Sequence, residues 1–184
     1  MTSSPAPFDG DFASLIRDVP DFPKPGVVFK DITPMLSSPE GFRAVVEALV
    51  EASPADIDVV LGMEARGFIF GAPVALEMGA AVVPVRKSGK LPRATVEPTY
   101  DLEYGTQTLA VHTDAIKPGD RVLIVDDVLA TGGTVAATAD LVRRLGGSLV
   151  AVTVVMELAY LEPREVLGRH NIDAVTSLVR ISQE

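Results

Sequence analysis

Apolar and polar positions divide the chain into short β-branched runs separated by amphipathic stretches. Val122 to Val125 is a continuous apolar run, the pattern of a strand buried on both faces. Thr134 to Leu145 then sets Val135, Ala139, Val142 and Leu145 on one helical face, and Gly146 and Gly147 stop that helix. Ser148 to Met156 is a second β-branched run. Strand, turn, helix and strand in this order favour a parallel pair with a right-handed crossover. Ligands of such sheets bind beyond the carboxyl ends of the strands, so Asp126, Asp127 and Ala130 to Thr134 are predicted to meet at a binding edge.

Upstream, Phe12 to Val19 reads as a short helix, broken by Pro20, Pro23 and Pro25 in an irregular stretch before Val27 to Thr33. Ser37 or Ser38 is the predicted cap of a helix with Pro39 and Glu40 in its first turn and Phe42, Val45, Val46 and Leu49 as its apolar stripe. Ile57 to Met63 reads as a core strand. The turn Glu64 to Gly67 leads from it into an apolar helix ending near Gly79, with Pro73 obscuring where that helix begins. Ala81 to Val85 is the next strand. From Ser88 to about Tyr104 neither helical nor strand periodicity is visible, and so long a connection predicts a mobile lid or binding loop. Thr106 to His112 alternates weakly as a returning strand, Glu157 to Gly168 reads as partly helical, and Ala174 to Ile181 as a last strand.

A length of 184 residues suits one domain with one substantial core. With no Cys and only His112 and His170, disulfides, thiolate nucleophiles and zinc sites drop out, and a reducing cytoplasmic setting is expected. Sixteen Lys and Arg against 25 Asp and Glu leave a net charge of −9, which disfavours nucleic acid and anionic lipid as partners. Residues 1–7, rich in Ser, Thr and Pro, are expected to be disordered and show no signal-peptide pattern. Phe68 to Val85 is long enough to suggest a membrane span, but Glu77, Pro73 and Pro84 argue for helix, turn and strand instead.

The ATGGT turn at a helix N-terminus suits a phosphate, because glycines let backbone N–H groups converge and the helix dipole favours an anion. Neither a Walker A loop nor a GxGxxG helix opening is present. Two carboxylates this near would repel a phosphate, so Asp126 and Asp127 are expected to face the hydroxyls of a ribose on the same ligand and to favour a cationic anomeric carbon. Arg86, Lys87, Lys90 and Arg93 concentrate basic charge on one loop, and Arg66 offers a planar fork for the same anion. On the loop, Glu97, Asp101 and Glu103 are candidate proton acceptors or donors that their spacing does not separate.

VLIVDDVLATGGT resembles the 5-phosphoribosyl diphosphate (PRPP) signature of the type I phosphoribosyltransferase family. DFPKPGVVFKDITPML, MEARGFIFGAP, VRKSGKLP and YDLEYG are similar, in order, to blocks of its adenine-using members and cover nearly the whole chain. The resemblance implies an α/β fold with a mostly parallel central sheet flanked by helices. Within one domain it implies a small N-terminal hood over about residues 8–36, a core over about residues 37–184, and a flexible active-site loop over about residues 87–104. It implies that adenine and PRPP give AMP and pyrophosphate, with Mg²⁺ on the diphosphate and no protein ligand assigned to the metal.

By the same resemblance, Ala130, Thr131, Gly132, Gly133 and Thr134 would hold the 5′-phosphate, and Asp126 and Asp127 the ribose hydroxyls. Arg66, Arg86, Lys87 and Lys90 would hold the pyrophosphate. Val28, Phe29, Lys30 and Leu158 would enclose the adenine, while Glu103 and Tyr104 close over the site. Catalysis would rest on Glu103, Arg66, Asp126 and Asp127. A homodimer is implied, with Arg86 reaching the neighbouring site. Lys30 stands where relatives often carry Arg, which keeps the charge and loses the fork. Rival readings are a hypoxanthine, guanine or xanthine transferase, a PRPP-binding regulator, and a sugar-nucleotide-binding domain without catalysis. The 56 residues before the first core strand carry neither a basic helix-turn-helix nor an Arg stripe, which counts against the regulator.

Overall fold

A computed structural model describes residues 10–97 and 108–183. Near the N-terminus, a 3₁₀ turn at Phe12–Leu15 is capped by Asp11, whose carboxylate accepts the Ala13 N–H. It leads into β1 (Arg17–Val19), which pairs antiparallel with β2 (Phe29–Asp31). The single helix expected over Phe12 to Val19 is therefore absent. Pro20 biases Val19 toward extended backbone, and β2 supplies the partner that three extended residues need. After β2, α1 (Thr33–Ser37) is one short helix, and Ser38 caps α2 (Pro39–Glu51) by accepting the Gly41 N–H.

The remaining elements are β3 (Val59–Met63), α3 (Gly67–Met78), β4 (Ala81–Lys87), β5 (Thr95–Val96), β6 (Leu109–His112), β7 (Arg121–Leu129), α4 (Gly133–Arg144), β8 (Ser148–Leu158), a second 3₁₀ turn (Ala159–Leu161), α5 (Pro163–Arg169) and β9 (Val175–Ile181). They form a seven-stranded sheet in the order β5-β6-β4-β3-β7-β8-β9. The β4-β3-β7-β8-β9 block is parallel, and β6 runs antiparallel to both β4 and β5. Alternate residues serve the two faces. Leu61, Ile124 and Val154 pack with Val135, Leu141 and Leu167 of α4 and α5, whereas Val60, Leu123 and Val155 pack with Met35, Leu49 and Phe70 of α1, α2 and α3. The result is a helix, sheet, helix sandwich whose parallel strands all deliver their carboxyl ends to one edge.

The apolar helix expected to end near Gly79 is α3, which begins at Gly67 and runs unbroken through Pro73. Three sequence expectations change. β7 continues to Leu129, so the acid pair lies within a strand rather than after it, because β8 pairs with β7 as far as Leu129↔Glu157. Residues 88–97 are not devoid of pattern: Thr95 and Val96 pair with His112 and Val111, and Ser88 donates to Glu97. β6 is buried along Leu109, Ala110 and Val111 instead of alternating, since β4 and β5 flank it and α4 covers it. The expected disorder of residues 1–7, and Tyr100 to Gln107 of the loop and returning strand, lie outside the described residues. Among the described residues, no helix is long and apolar enough to cross a membrane.

Candidate active site

The turn after β3, the carboxyl end of β7 and the start of α4 form a pocket of about 210 Å³ lined by Glu64–Arg66, Asp126–Gly132, Thr134 and Val135. A larger hollow of about 440 Å³ lies at the opposite end of the sheet, beside the start of β8 and the α5–β9 connection, and contains none of the predicted site residues.

Inside the pocket, Asp127 is buried at 3% exposure and Asp126 is half-buried, its Oδ1 accepting the Asp127 N–H at 2.9 Å. Gly67 makes room for this pair, since a Cβ there would lie 2.6 Å from Asp126 Oδ1. Burial first, then the neighbouring Asp127 charge, pushes the Asp126 carboxyl well above the usual carboxylate range. Burial raises Asp127 as well, against the opposing pull of Arg66. Burial and mutual repulsion thus work against ionising both acids at once, with the Arg66 cation beside Asp127.

Arg66 is the hinge of this arrangement. Its Nε lies 2.6 Å from Asp127 Oδ2, an ion pair by proximity without a well-aimed hydrogen bond. Its guanidinium carbon also lies 5.1 Å from the centroid of the Phe29 ring, and Phe22 packs edge-on against Phe29 with ring centroids 5.2 Å apart. One side chain therefore connects the acid pair to the N-terminal segment.

Beyond Asp127 the chain leaves β7 through Ala130 and Thr131 and enters α4 at Gly133. Gly132 precedes the helix at φ 85°, a left-handed conformation that favours glycine. No side chain caps α4, so its first N–H groups are available to an external anion. Thr131 and Thr134 flank them. The turn rests on α5: a Cβ on Gly132 would lie 3.0 Å from the Pro163 carbonyl oxygen and 3.4 Å from the Leu167 side chain.

Of the basic loop, Arg86 and Lys87 end β4 beside the pocket. Glu64, across a cis peptide from Ala65, ties them down: its Oε2 receives Arg86 Nε at 3.3 Å and the Lys87 N–H at 3.0 Å. The Lys87 N–H, together with Arg86, holds the Glu64 carboxyl below its usual range, against the effect of burial. Arg86 also donates to the Lys90 carbonyl, and the Lys87 and Lys90 side chains are exposed. Arg93 turns away to pair with Asp114.

Val28 and Phe29 are half-buried at the entrance to β2, but the side chain of Lys30 is buried on the other face of that strand and donates to Asp18 Oδ1 at 2.8 Å. Leu158 ends β8 and packs on the core layer that holds Ile32 and Met35. Glu103 and Tyr104 lie outside the described residues.

Glu64 stands in the sequence only as part of a turn, and Glu157 at the start of a partly helical stretch. Glu157 is instead a fully buried strand residue, bound by Arg164 and Ser177. A lone acid closing the run VVMEL was its only sequence signal.

Residues 35–175 match the phosphoribosyl transferase domain. The adenine phosphoribosyltransferase of Cutibacterium acnes is 59% identical over 169 residues, covering 92% of this chain and 96% of that protein. The crystal structure of the adenine phosphoribosyltransferase from Rhodothermus marinus, 50% identical, superposes with a TM-score of 0.85 over 92% of this chain and 96% of that one. The Giardia lamblia APRTase complexed with 9-deazaadenine, 37% identical, also gives 0.85, over 94% and 97% of the two chains. A match this extensive in both sequence and structure makes the chain a member of the adenine phosphoribosyltransferase family.

Proposed function

We propose that the chain transfers the phosphoribosyl group of PRPP to adenine, giving AMP and pyrophosphate, in cytoplasmic purine salvage. The observation that carries the site assignment is the meeting of Asp126 and Asp127, the uncapped N-terminus of α4 and Arg66 at one sheet edge. Backbone N–H groups of the Ala130 to Thr134 turn, with the Thr131 and Thr134 hydroxyls, bind the 5′-phosphate. Asp126 and Asp127 accept hydrogen bonds from the ribose hydroxyls and stand close to the anomeric carbon, C1′.

In the unliganded chain, Arg66 is shared between Asp127 and Phe29. The diphosphate offers Arg66 a stronger, bidentate partner. Its move would free Asp127 for the ribose and one face of Phe29 for the purine. Adenine then stacks between Phe29 and Leu158 in a hood formed by the β1–β2 segment. Val28 and Lys30 contribute backbone groups, since the Lys30 ammonium is engaged by Asp18. That the Giardia lamblia relative holds an adenine analogue supports this choice of base.

As the bond from C1′ to the diphosphate oxygen breaks, the electron pair leaves with pyrophosphate and C1′ gains oxocarbenium character. The nearby carboxylate charge favours that cation. Arg66, Arg86, Lys87 and Lys90 meet the charge growing on the leaving oxygens. Adenine N9 forms the new bond to C1′ and its proton passes to a base, Glu103 or the departing pyrophosphate, while Glu103 and Tyr104 close over the site to exclude water.

Mg²⁺ belongs to this reading as a passenger of the diphosphate. Among the described residues, no three His, Cys, Asp or Glu side chains gather into a cage. Asp126 and Asp127, the paired carboxylates lining the pocket, are the residues that would hold such an ion. When bound, it neutralises charge on the leaving group.

The enzyme is further read as a homodimer. Ile69 (39%), Leu76 (79%) and Val82 (49%) are large apolar side chains left exposed on α3 and β4, Ile69 in the first turn of α3 and the other two toward the opposite edge of the sheet. Incubation of the purified chain with PRPP, Mg²⁺ and, separately, adenine, hypoxanthine, guanine or xanthine tests the reaction by pyrophosphate release. Turnover is expected with adenine, and its absence there overturns the proposal.

A further inference from the structure

Glu157 is the next-to-last residue of β8, has no exposed surface, and lies in register with Leu129, from which the phosphate turn departs. Its carboxylate receives Arg164 Nε at 2.9 Å on Oε1, Arg164 Nη2 at 2.8 Å on Oε2 and the Ser177 hydroxyl at 2.9 Å on Oε2, with Arg180 Nε 3.8 Å away. Arg164 also donates from Nη1 to the Val175 carbonyl at 3.1 Å. One guanidinium in the first turn of α5 thus grips both β8 and β9. α5 is only seven residues long, too short to hold its place by helix formation alone. Its Pro163 carbonyl and Leu167 side chain are the surfaces against which Gly132 packs.

We propose that the Glu157–Arg164 pair is a positioning device for the 5′-phosphate turn, acting through α5. Neither residue belongs to the pocket, and with the Arg164 side chain 44% exposed the pair is partly screened by solvent and adds little net stability. What a forked, bidentate pair supplies is direction: it sets the depth at which Pro163 and Leu167 stop the turn and so the aim of the α4 N–H groups. Hydrogen bonds from Arg164 hold the Glu157 carboxyl below its ordinary range, against burial, so the pair remains ionised at neutral pH.

The inference rests on the reading of Ala130 to Thr134 as the 5′-phosphate site, and the test separates the two. AMP and adenosine differ by that phosphate, so the ratio of their dissociation constants isolates it from the purine and ribose contacts. In Arg164→Met the preference for AMP should fall by about tenfold, as when a supporting shell is removed. KM for PRPP should rise while KM for adenine holds. Arg164→Lys, which keeps the charge and loses the fork, should recover part of the preference. An unchanged ratio, whether both ligands weaken together or neither does, overturns the proposal. If Arg164→Met does not fold, the Lys variant and Ser177→Ala decide by the same ratio. A wild-type chain that binds adenosine as tightly as AMP overturns instead the phosphate reading beneath it.

Discussion

Asp126 and Asp127 are placed where a folded protein gains least from carboxylates and where, on the proposed reading, phosphoribosyl transfer gains most. Burial raises both, and Asp127 sharpens the effect on Asp126. A group whose folded pKa is raised binds a proton that the unfolded chain has already released. Between the ordinary carboxylate range and the raised value, stability therefore falls as pH rises and returns as pH falls. On the proposed reading activity runs the other way, since the ribose and the cationic carbon would need the ionised form. Asp126→Asn removes the buried charge and keeps an acceptor for the Asp127 N–H. Its melting temperature at neutral pH should equal or exceed that of the wild type, with a flatter dependence on pH. Its kcat/KM for PRPP should drop by about a hundredfold or more. Parallel loss of stability and activity, followed by thermal melts and pyrophosphate release, would make the pair structural.

The turn between β7 and α4 is the element on which the phosphate reading depends. A side chain at Gly132 meets two obstacles at once, a φ of 85° and the Pro163 carbonyl 3.0 Å from its Cβ. Gly132→Ala is expected to destabilise the fold by about 1–3 kcal/mol. It should also weaken AMP more than adenosine, as denaturant titration and ligand titration would measure. Much of this element was legible in the sequence, because DDVLATGGT joins an apolar strand to an amphipathic helix with little ambiguity. The elements that were not legible are those that tertiary partners create. Arg17–Val19 becomes a strand only beside Phe29–Asp31, and Thr95–Val96 only beside β6. Glu157 looked like a helix start because nothing in its neighbourhood announces that Arg164 and Ser177 will close around it. Arg66 was legible as a cation for the anion. Its simultaneous hold on Asp127 and Phe29 joins segments distant in sequence, and only the folded chain brings them together.

At the scale of the molecule, an acidic chain of net charge −9 gathers Arg66, Arg86, Lys87 and Lys90 along one sheet edge. On the proposed reading this would steer a polyanionic substrate to the place where its charge is needed. The opposite demand, an apolar surface, is met on α3 and β4 by Ile69, Leu76 and Val82. Sedimentation should give a dimer for the wild type. Leu76→Asp should give a monomer of similar melting temperature, because Leu76 is 79% exposed in the single chain and supports no core of its own. A wild-type monomer would remove the homodimer from this account. The central claim is that one edge binds phosphate, ribose and purine in a line from α4 through Asp126 and Asp127 to Phe29. A crystal structure with AMP tests it most directly. The account predicts the phosphate on the N–H groups of Thr131 to Thr134, the ribose hydroxyls on the two aspartates, and the purine on Phe29 in place of Arg66. AMP bound elsewhere, or with its phosphate on the basic residues of β4, would contradict it.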